Sequence, residues 1–309
     1  MCNTAHEPIV RSYVKLPASA PAWALVFGAA LWGVVWYPYR LLARAGLDGL
    51  WATLLTYGVA LAVGVALFPR EALRLARAPA SAIVMGLAIG WSNLAYVLGV
   101  LDGEVMRVLL LFYLAPLWTV PLAWLLLRER LDATGFAVMA LAFSGAMAML
   151  WKPHLGVPWP TARSEWLGLA AGILFALGNV LIRRLDTMTD AGKSIVIWAG
   201  VTAVALLHLP SSRIGAPAAW AAASANAGIV LGIGLALVAM SLALQYGLAR
   251  MAATRAIVIL LSELVVAAAA AYALAGEALR PQDWIGGALI VAASVVSGWV
   301  RVRPAAAAG

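Results

Sequence analysis

Ten apolar runs of about twenty residues each follow one another along this chain, with hardly a charge inside them. A bilayer core about 30 Å thick takes roughly 20 residues of α-helix to cross. The runs lie near 22–42, 48–68, 80–101, 104–127, 133–151, 164–185, 191–210, 225–248, 252–275 and 283–302. They are too long for barrel strands and do not alternate in polarity. Of the 309 residues, 64% are hydrophobic and only 11% charged, too few charges to cover a water-facing surface. The chain therefore reads as an all-α integral membrane protein.

The second half of the sequence repeats the first. Glu129 ends an apolar run, and Glu277 ends another 148 positions later. At that shift, without a gap, Leu131 falls on Leu279, Arg107 on Arg255, Gly99 on Gly247 and Gly86 on Gly234. Phe136 falls on another aromatic, Trp284. Ten runs in two copies make five per copy, and an odd number of crossings ends on the opposite side from where it began. The second copy must then be inserted upside down. The expected fold is ten transmembrane helices as two inverted five-helix repeats around a central cavity, an arrangement typical of transporters. Five segments are expected: a cytoplasmic N-terminal segment 1–21, a first repeat 22–151, a Pro-rich linker 152–164, a second repeat 165–303 and a tail 304–309.

The net charge of +8 does not imply a nucleic-acid partner, because nearly every Lys and Arg sits at the end of a run. With the N-terminus on one side, that side receives 14 of the 21 basic residues and the other receives 7. The positive-inside rule then places both termini in the cytoplasm, and the inner membrane is the expected location. Arg11 and Lys15 imitate a signal-peptide start, but the run behind them is too long for a signal core, and no cleavage is expected. Cys2 is the only cysteine, and His6, His154 and His208 have no ligand spacing, so neither a metal site nor a cofactor is expected. Gly168/Gly172 and Gly228/Gly232 have the small-xxx-small spacing that lets helix backbones approach. Pro38, Pro116 and Pro121 each remove a backbone hydrogen bond and invite a kink.

Longer stretches carry a family resemblance. The fourth run reads Leu-Leu-Leu-Phe-Tyr-Leu-Ala-Pro-Leu-Trp-Thr from Leu109 and closes on Leu-Leu-Leu-Arg-Glu-Arg-Leu. The ninth reads Ile-Leu-Leu-Ser-Glu-Leu-Val from Ile259 and closes on Ala-Gly-Glu-Ala-Leu. With Leu31-Trp32-Gly33 and Ala176-Leu177-Gly178-Asn179, the chain resembles the EamA-type transporters of the drug/metabolite transporter superfamily over about 22–302. The resemblance implies ten helices in two inverted halves and cytoplasmic termini. It also implies helices five and ten as outer scaffold, with a cavity lined by helices one to four and six to nine. One departure stands out. The family often has Glu-Pro in helix nine, whereas Glu263 is followed by Leu264, which aligns with Pro116. Helix nine is therefore expected to be straighter than helix four.

Glu263 is the leading candidate to bind substrate, since a carboxylate inside a membrane helix is costly unless paired, protonated or wet. It would hold a substrate ammonium or exchange a proton. Arg255 lies eight residues earlier, about 80° around and roughly 12 Å along the helix, too far for a direct pair. Arg255 and its repeat mate Arg107 either snorkel to the interface or bind a carboxylate. Asn93, Tyr96, Asn179, Gln245 and Ser262 are uncharged polar groups inside runs, suited to binding solute or to joining helices. Trp32, Trp91 and Tyr113 lie deep enough to wall an apolar pocket. Trp36, Tyr37, Trp198 and Tyr246 read instead as interfacial belt. Glu129 and Glu277 read as end-of-helix groups, Glu129 in a salt bridge beside Arg128 and Arg130.

These residues point to a secondary transporter of small metabolites, amino acids or related compounds, exporting by alternating access. Its partners would be the small-molecule substrate, the lipid bilayer and protons as coupling ion. No phosphate-binding Walker motif is present to use ATP directly. The alternative is a lipid flippase or other non-catalytic membrane protein. An enzyme would need a nucleophile with its base, a metal cluster or paired acids at one face, and the sequence offers none.

Overall fold

Helix follows helix through the chain. The computed structural model describes residues 17, 19–102, 108, 111–130, 132–150, 160–275, 281–297 and 303–304. The first part holds α1 (Ala20–Arg44), α2 (Gly49–Leu67), α3 (Pro69–Arg74), α4 (Ala80–Asp102), α5 (Ala115–Leu127) and α6 (Ala133–Leu150). The second holds α7 (Arg163–Arg184), α8 (Asp190–His208), α9 (Ala216–Ala225), α10 (Ala227–Ala249), α11 (Ala253–Leu260), α12 (Ser262–Ala275) and α13 (Pro281–Ser297). Two short strands, β1 (Glu129–Arg130) and β2 (Arg303–Pro304), pair antiparallel and tie the end of the described chain to the exit of α5.

Six of these helices are long and apolar enough to cross a membrane. Several, such as α2, α5 and α10, are apolar nearly all the way round, as expected where lipid replaces water on the outer face. Leu125, Phe136, Leu207 and Trp284 point outward accordingly. Caps fix where helices begin. The Asp48 carboxylate accepts from Trp51 N at 2.9 Å to start α2, and Thr189 Oγ1 accepts from Gly192 N at 3.0 Å to start α8. The turn between α1 and α2 needs a left-handed residue, and Gly46 supplies it at φ +89°.

Two apolar runs are interrupted near their middles. The fourth, expected to be one helix, turns at Tyr113–Leu114 before α5 begins, with Leu117 N bonded to Leu114 O at 2.9 Å. The ninth turns at Leu261, where Leu264 N bonds Leu261 O at 3.1 Å. Under the 148-residue shift, Tyr113 corresponds to Leu261. The expectation of a straighter helix nine is therefore corrected: it breaks at the mirrored position without a proline. A short turn bond between Leu261 and Leu264 replaces the regular ladder there, so the missing Pro ring changes little.

The packing also repeats. A β-carbon on Gly99 of α4 would lie 3.1 Å from Ser164 O and 3.6 Å from Gly168 N of α7. One on Gly247 of α10, the repeat mate of Gly99, would lie 2.8 Å from Pro21 O and 2.5 Å from the Leu25 side chain of α1. Both partners move by the same 143 positions. A β-carbon on Gly86 would lie 2.7 Å from Val196 O of α8, and one on its mate Gly234 would lie 3.1 Å from Thr56 O of α2. Helices α2 and α8 themselves run antiparallel. Trp51, early in α2, donates to Ile214 O beyond the end of α8 at 3.3 Å, while Gly64, late in α2, packs on Trp198 in the first half of α8.

The main core lies among α1, α2, α8 and α10, with fully buried Trp198 inside it. A second core joins α6 and α13 to the broken ninth span through Tyr113, Val138, Ala142, Val258, Leu261, Leu264 and Ile290. Polar ties close both ends of the bundle. At one end, Glu129 meets Arg183 at 3.5 Å, Arg183 donates to Ala249 O at 3.0 Å, and Arg250 pairs with Asp190 at 2.7 Å. At the other, Asp48 accepts from the Ser212 hydroxyl and from Arg213 N at 3.3 Å. The salt bridge expected for Glu129 thus forms with Arg183, across from the second half of the sequence; Glu277 lies outside the described residues.

Candidate functional site

The two helix interruptions meet inside the bundle. Tyr113, buried at the turn before α5, donates its hydroxyl proton to Glu263 Oε1 at 3.0 Å. Glu263 is the second residue of α12, in the first turn after the break. Its carboxylate therefore lies at the positive end of that helix, where the first N–H groups lack intrahelical partners. Helix α1 backs this turn closely: a β-carbon on Gly33 would sit 2.8 Å from Glu263 O and 2.9 Å from Val266 Cβ. Only a residue without a side chain lets α1 approach so near.

Aromatic rings line one flank. Phe112 stacks edge-on with Tyr113 at 5.2 Å between centroids and tilts against Tyr96 at 5.5 Å and Phe175 at 5.4 Å. Tyr96 of α4 lies within electrostatic reach of Glu263. Among the described residues, no Lys, Arg or His pairs with Glu263. Ser262 Oγ, beside it, is buried and lacks a hydrogen-bond partner.

Glu263, Tyr113, Tyr96 and Ser262 are thus brought to one place from separate parts of the sequence, and the other candidates fall elsewhere. Arg255 sits on α11, before the break, half-buried and with its Nε unpartnered, and it does not pair with Glu263. Asn93 borders a small cavity of about 10 Å³ among α2, α4 and α8, with Thr53 and Val201, and its Oδ1 has no partner. That volume has room for about one water. Asn179 of α7 and Gln245 of α10 are buried with Nδ2 and Oε1 unpartnered. Trp32 packs against the main core. Arg107 lies outside the described residues.

Trp91 is 39% exposed and meets His208 edge-on at 4.6 Å. One aromatic expectation is corrected: Trp198 is not interfacial but fully buried, and it donates from Nε1 to Ser241 Oγ at 3.0 Å. A helix apolar on all sides gives no sequence signal of which face is inward, so position along the run misplaced it. Phe112 and Phe175 escaped notice. Both adjoin singled-out residues, Phe112 beside Tyr113 and Phe175 just before Ala176-Leu177-Gly178-Asn179, but Phe is also an ordinary lipid-facing residue. Of the glycine pairs, a β-carbon on Gly168 or Gly172 would meet backbone, at Val108 O (2.8 Å) and Phe112 O (2.5 Å), whereas one on Gly228 or Gly232 would have nothing within 4 Å.

Known proteins resemble the chain in both sequence and fold. A protein from Archaeoglobus fulgidus, described as an uncharacterized transporter, is 26% identical over 206 residues, covering 66% of this chain and 70% of that protein. A solved crystal structure covers 91% of this chain and 97% of its own with a TM-score of 0.72; at 19% identity it shows the fold alone. The model of the EamA-like transporter family matches twice, at residues 20–151 and 163–299. Two family matches spanning nearly all of this multi-pass, all-helical membrane protein make it a member of the EamA-like transporter family, and so a transporter rather than an enzyme.

Proposed function

We propose that this protein is a secondary transporter that exports small metabolites, amino acids or related compounds, across the inner membrane by alternating access. The observation that carries the reading is the Tyr113–Glu263 hydrogen bond, which links the helix breaks of two repeated segments inside the bundle. A break in each half is a place where a half can bend, and a bond between the breaks makes bending in one felt by the other.

In this reading the chain crosses the membrane ten times, as two inverted five-helix halves, 22–151 and 165–303, around a central passage. The antiparallel run of α2 and α8 supports the inversion. So does the exchange of partners between Gly99 and Gly247. Two copies that swap places through an antiparallel pair are related by an axis across the helices, in the membrane plane. The basic residues Arg183, Arg250 and the Arg303 strand gather at one end, which the positive-inside rule makes cytoplasmic, with both termini there.

Solute binds beside Glu263, flanked by Tyr96, Tyr113 and Ser262, and protons compete for the same carboxylate. The groups facing it from neighbouring helices, Tyr96 and Tyr113, remain neutral near pH 7 by their ordinary chemistry. Proteoliposomes with an imposed pH gradient test this. Uptake by the wild type should follow the gradient, and Glu263→Gln should remove that dependence. A Gln variant that still follows the gradient would discard Glu263 as the coupling group.

A further inference from the structure

We propose that the Glu263 site selects a monovalent organic cation, an ammonium group on an apolar body, over a zwitterionic amino acid. The inference rests on the reading of Glu263 as the solute site and narrows what that site accepts.

The first support is an uncompensated anion. A carboxylate can accept about four hydrogen bonds, and that of Glu263 has one donor, the Tyr113 hydroxyl. It lies inside a membrane-spanning run, where a carboxylate is costly unless paired, protonated or wet, and among the described residues no protein cation pairs with it. The second is the surface beside it. Tyr96, Phe112, Tyr113 and Phe175 form a continuous aromatic cluster, and the negative faces of such rings attract a cation without hydrogen bonds. The third is Ser262 Oγ, buried and unpartnered on the residue before Glu263, able to accept from a solute N–H. An amino acid would bring its own carboxylate in with its ammonium. Arg255, a guanidinium that could take that group, belongs to α11 on the other side of the break and is not paired with Glu263. The solute carboxylate would face Glu263 and a ring cluster, both of which repel it.

Counterflow in proteoliposomes separates these cases with two solutes of similar body: benzyltrimethylammonium, permanently cationic, and phenylalanine, zwitterionic. The wild type should exchange the ammonium at least about tenfold more effectively than phenylalanine. Glu263→Gln should lose that exchange. Phe112→Leu, which keeps an apolar side chain but removes the ring, should weaken apparent affinity roughly 3- to 10-fold. Glu263→Asp keeps a carboxylate and should restore part of the exchange with its cation preference, which separates loss of the charge from misfolding of the Gln variant; all variants are checked by size-exclusion profile. Exchange of phenylalanine with exclusion of the ammonium overturns the cation assignment and leaves transport standing. Exchange of neither overturns it as well. The transport reading falls separately, only if a wider panel of anionic and neutral metabolites also fails to move in the same vesicles.

Discussion

Single residues set close approaches in this bundle, and small changes there are predicted to have opposite signs by location. Gly200 of α8 lies directly against the Gly86 backbone of α4, so a β-carbon has no room. Gly200→Ala should cost about 1–3 kcal/mol, the usual range for overpacking. Gly228→Ala, with open space around it, should be neutral or stabilise by up to about 1 kcal/mol through helix propensity. Unfolding in mixed micelles measures both, and equal effects would contradict the packing described. Trp198 gives a second residue-scale test. Trp198→Phe leaves Ser241 without its buried donor and should cost about 1–3 kcal/mol. Adding Ser241→Ala should recover part of the loss, since the orphaned hydroxyl is then gone; a strictly additive pair would show the two side chains to be uncoupled.

At the scale of elements, the twin breaks are the main result. The absence of a proline at Leu264 pointed to a continuous helix, yet the chain turns at Leu261. Leu264 is the third residue of α12, within the first turn, where proline is tolerated. Compared with Leu264→Ala, which removes the same buried side chain, Leu264→Pro should therefore lose only its bond to Leu261 O, about 1 kcal/mol, and keep transport. Ala268→Pro, two turns inside α12, should cost roughly 3 kcal/mol or more and abolish transport. If the two prolines are equally harmful, the span is continuous there. The breaks could have been suspected from Ser262-Glu263, a polar pair suited to a helix start, but such pairs also face cavities in unbroken helices.

For the whole molecule, orientation is the testable property. The Asp48–Ser212–Arg213 tie and the Glu129–Arg183 tie lie at opposite ends of the bundle. With Cys2 replaced by Ala, an impermeant maleimide applied outside intact cells should label Arg213→Cys and spare Arg184→Cys, which should react only after permeabilisation. Labelling of both from outside would remove the proposed topology. Most of the architecture was legible in the residues alone: helical membrane runs and their duplication. The site was legible in part. Glu263 stood out because a charge inside an apolar run is rare, and Tyr113 because it lay deep. Phe112 and Phe175 did not, because nothing in an apolar run separates a ring turned into the bundle from one facing lipid.

Composition and order along the chain, which are local properties, determined that this protein lives in a membrane, crosses it as helices and is built from two related segments. Tertiary packing alone decided which polar groups meet. In lipid, the hydrophobic effect does not sort one helix face from another, so position is settled by glycine contacts, turn bonds and buried hydroxyls between residues as distant as Tyr113 and Glu263.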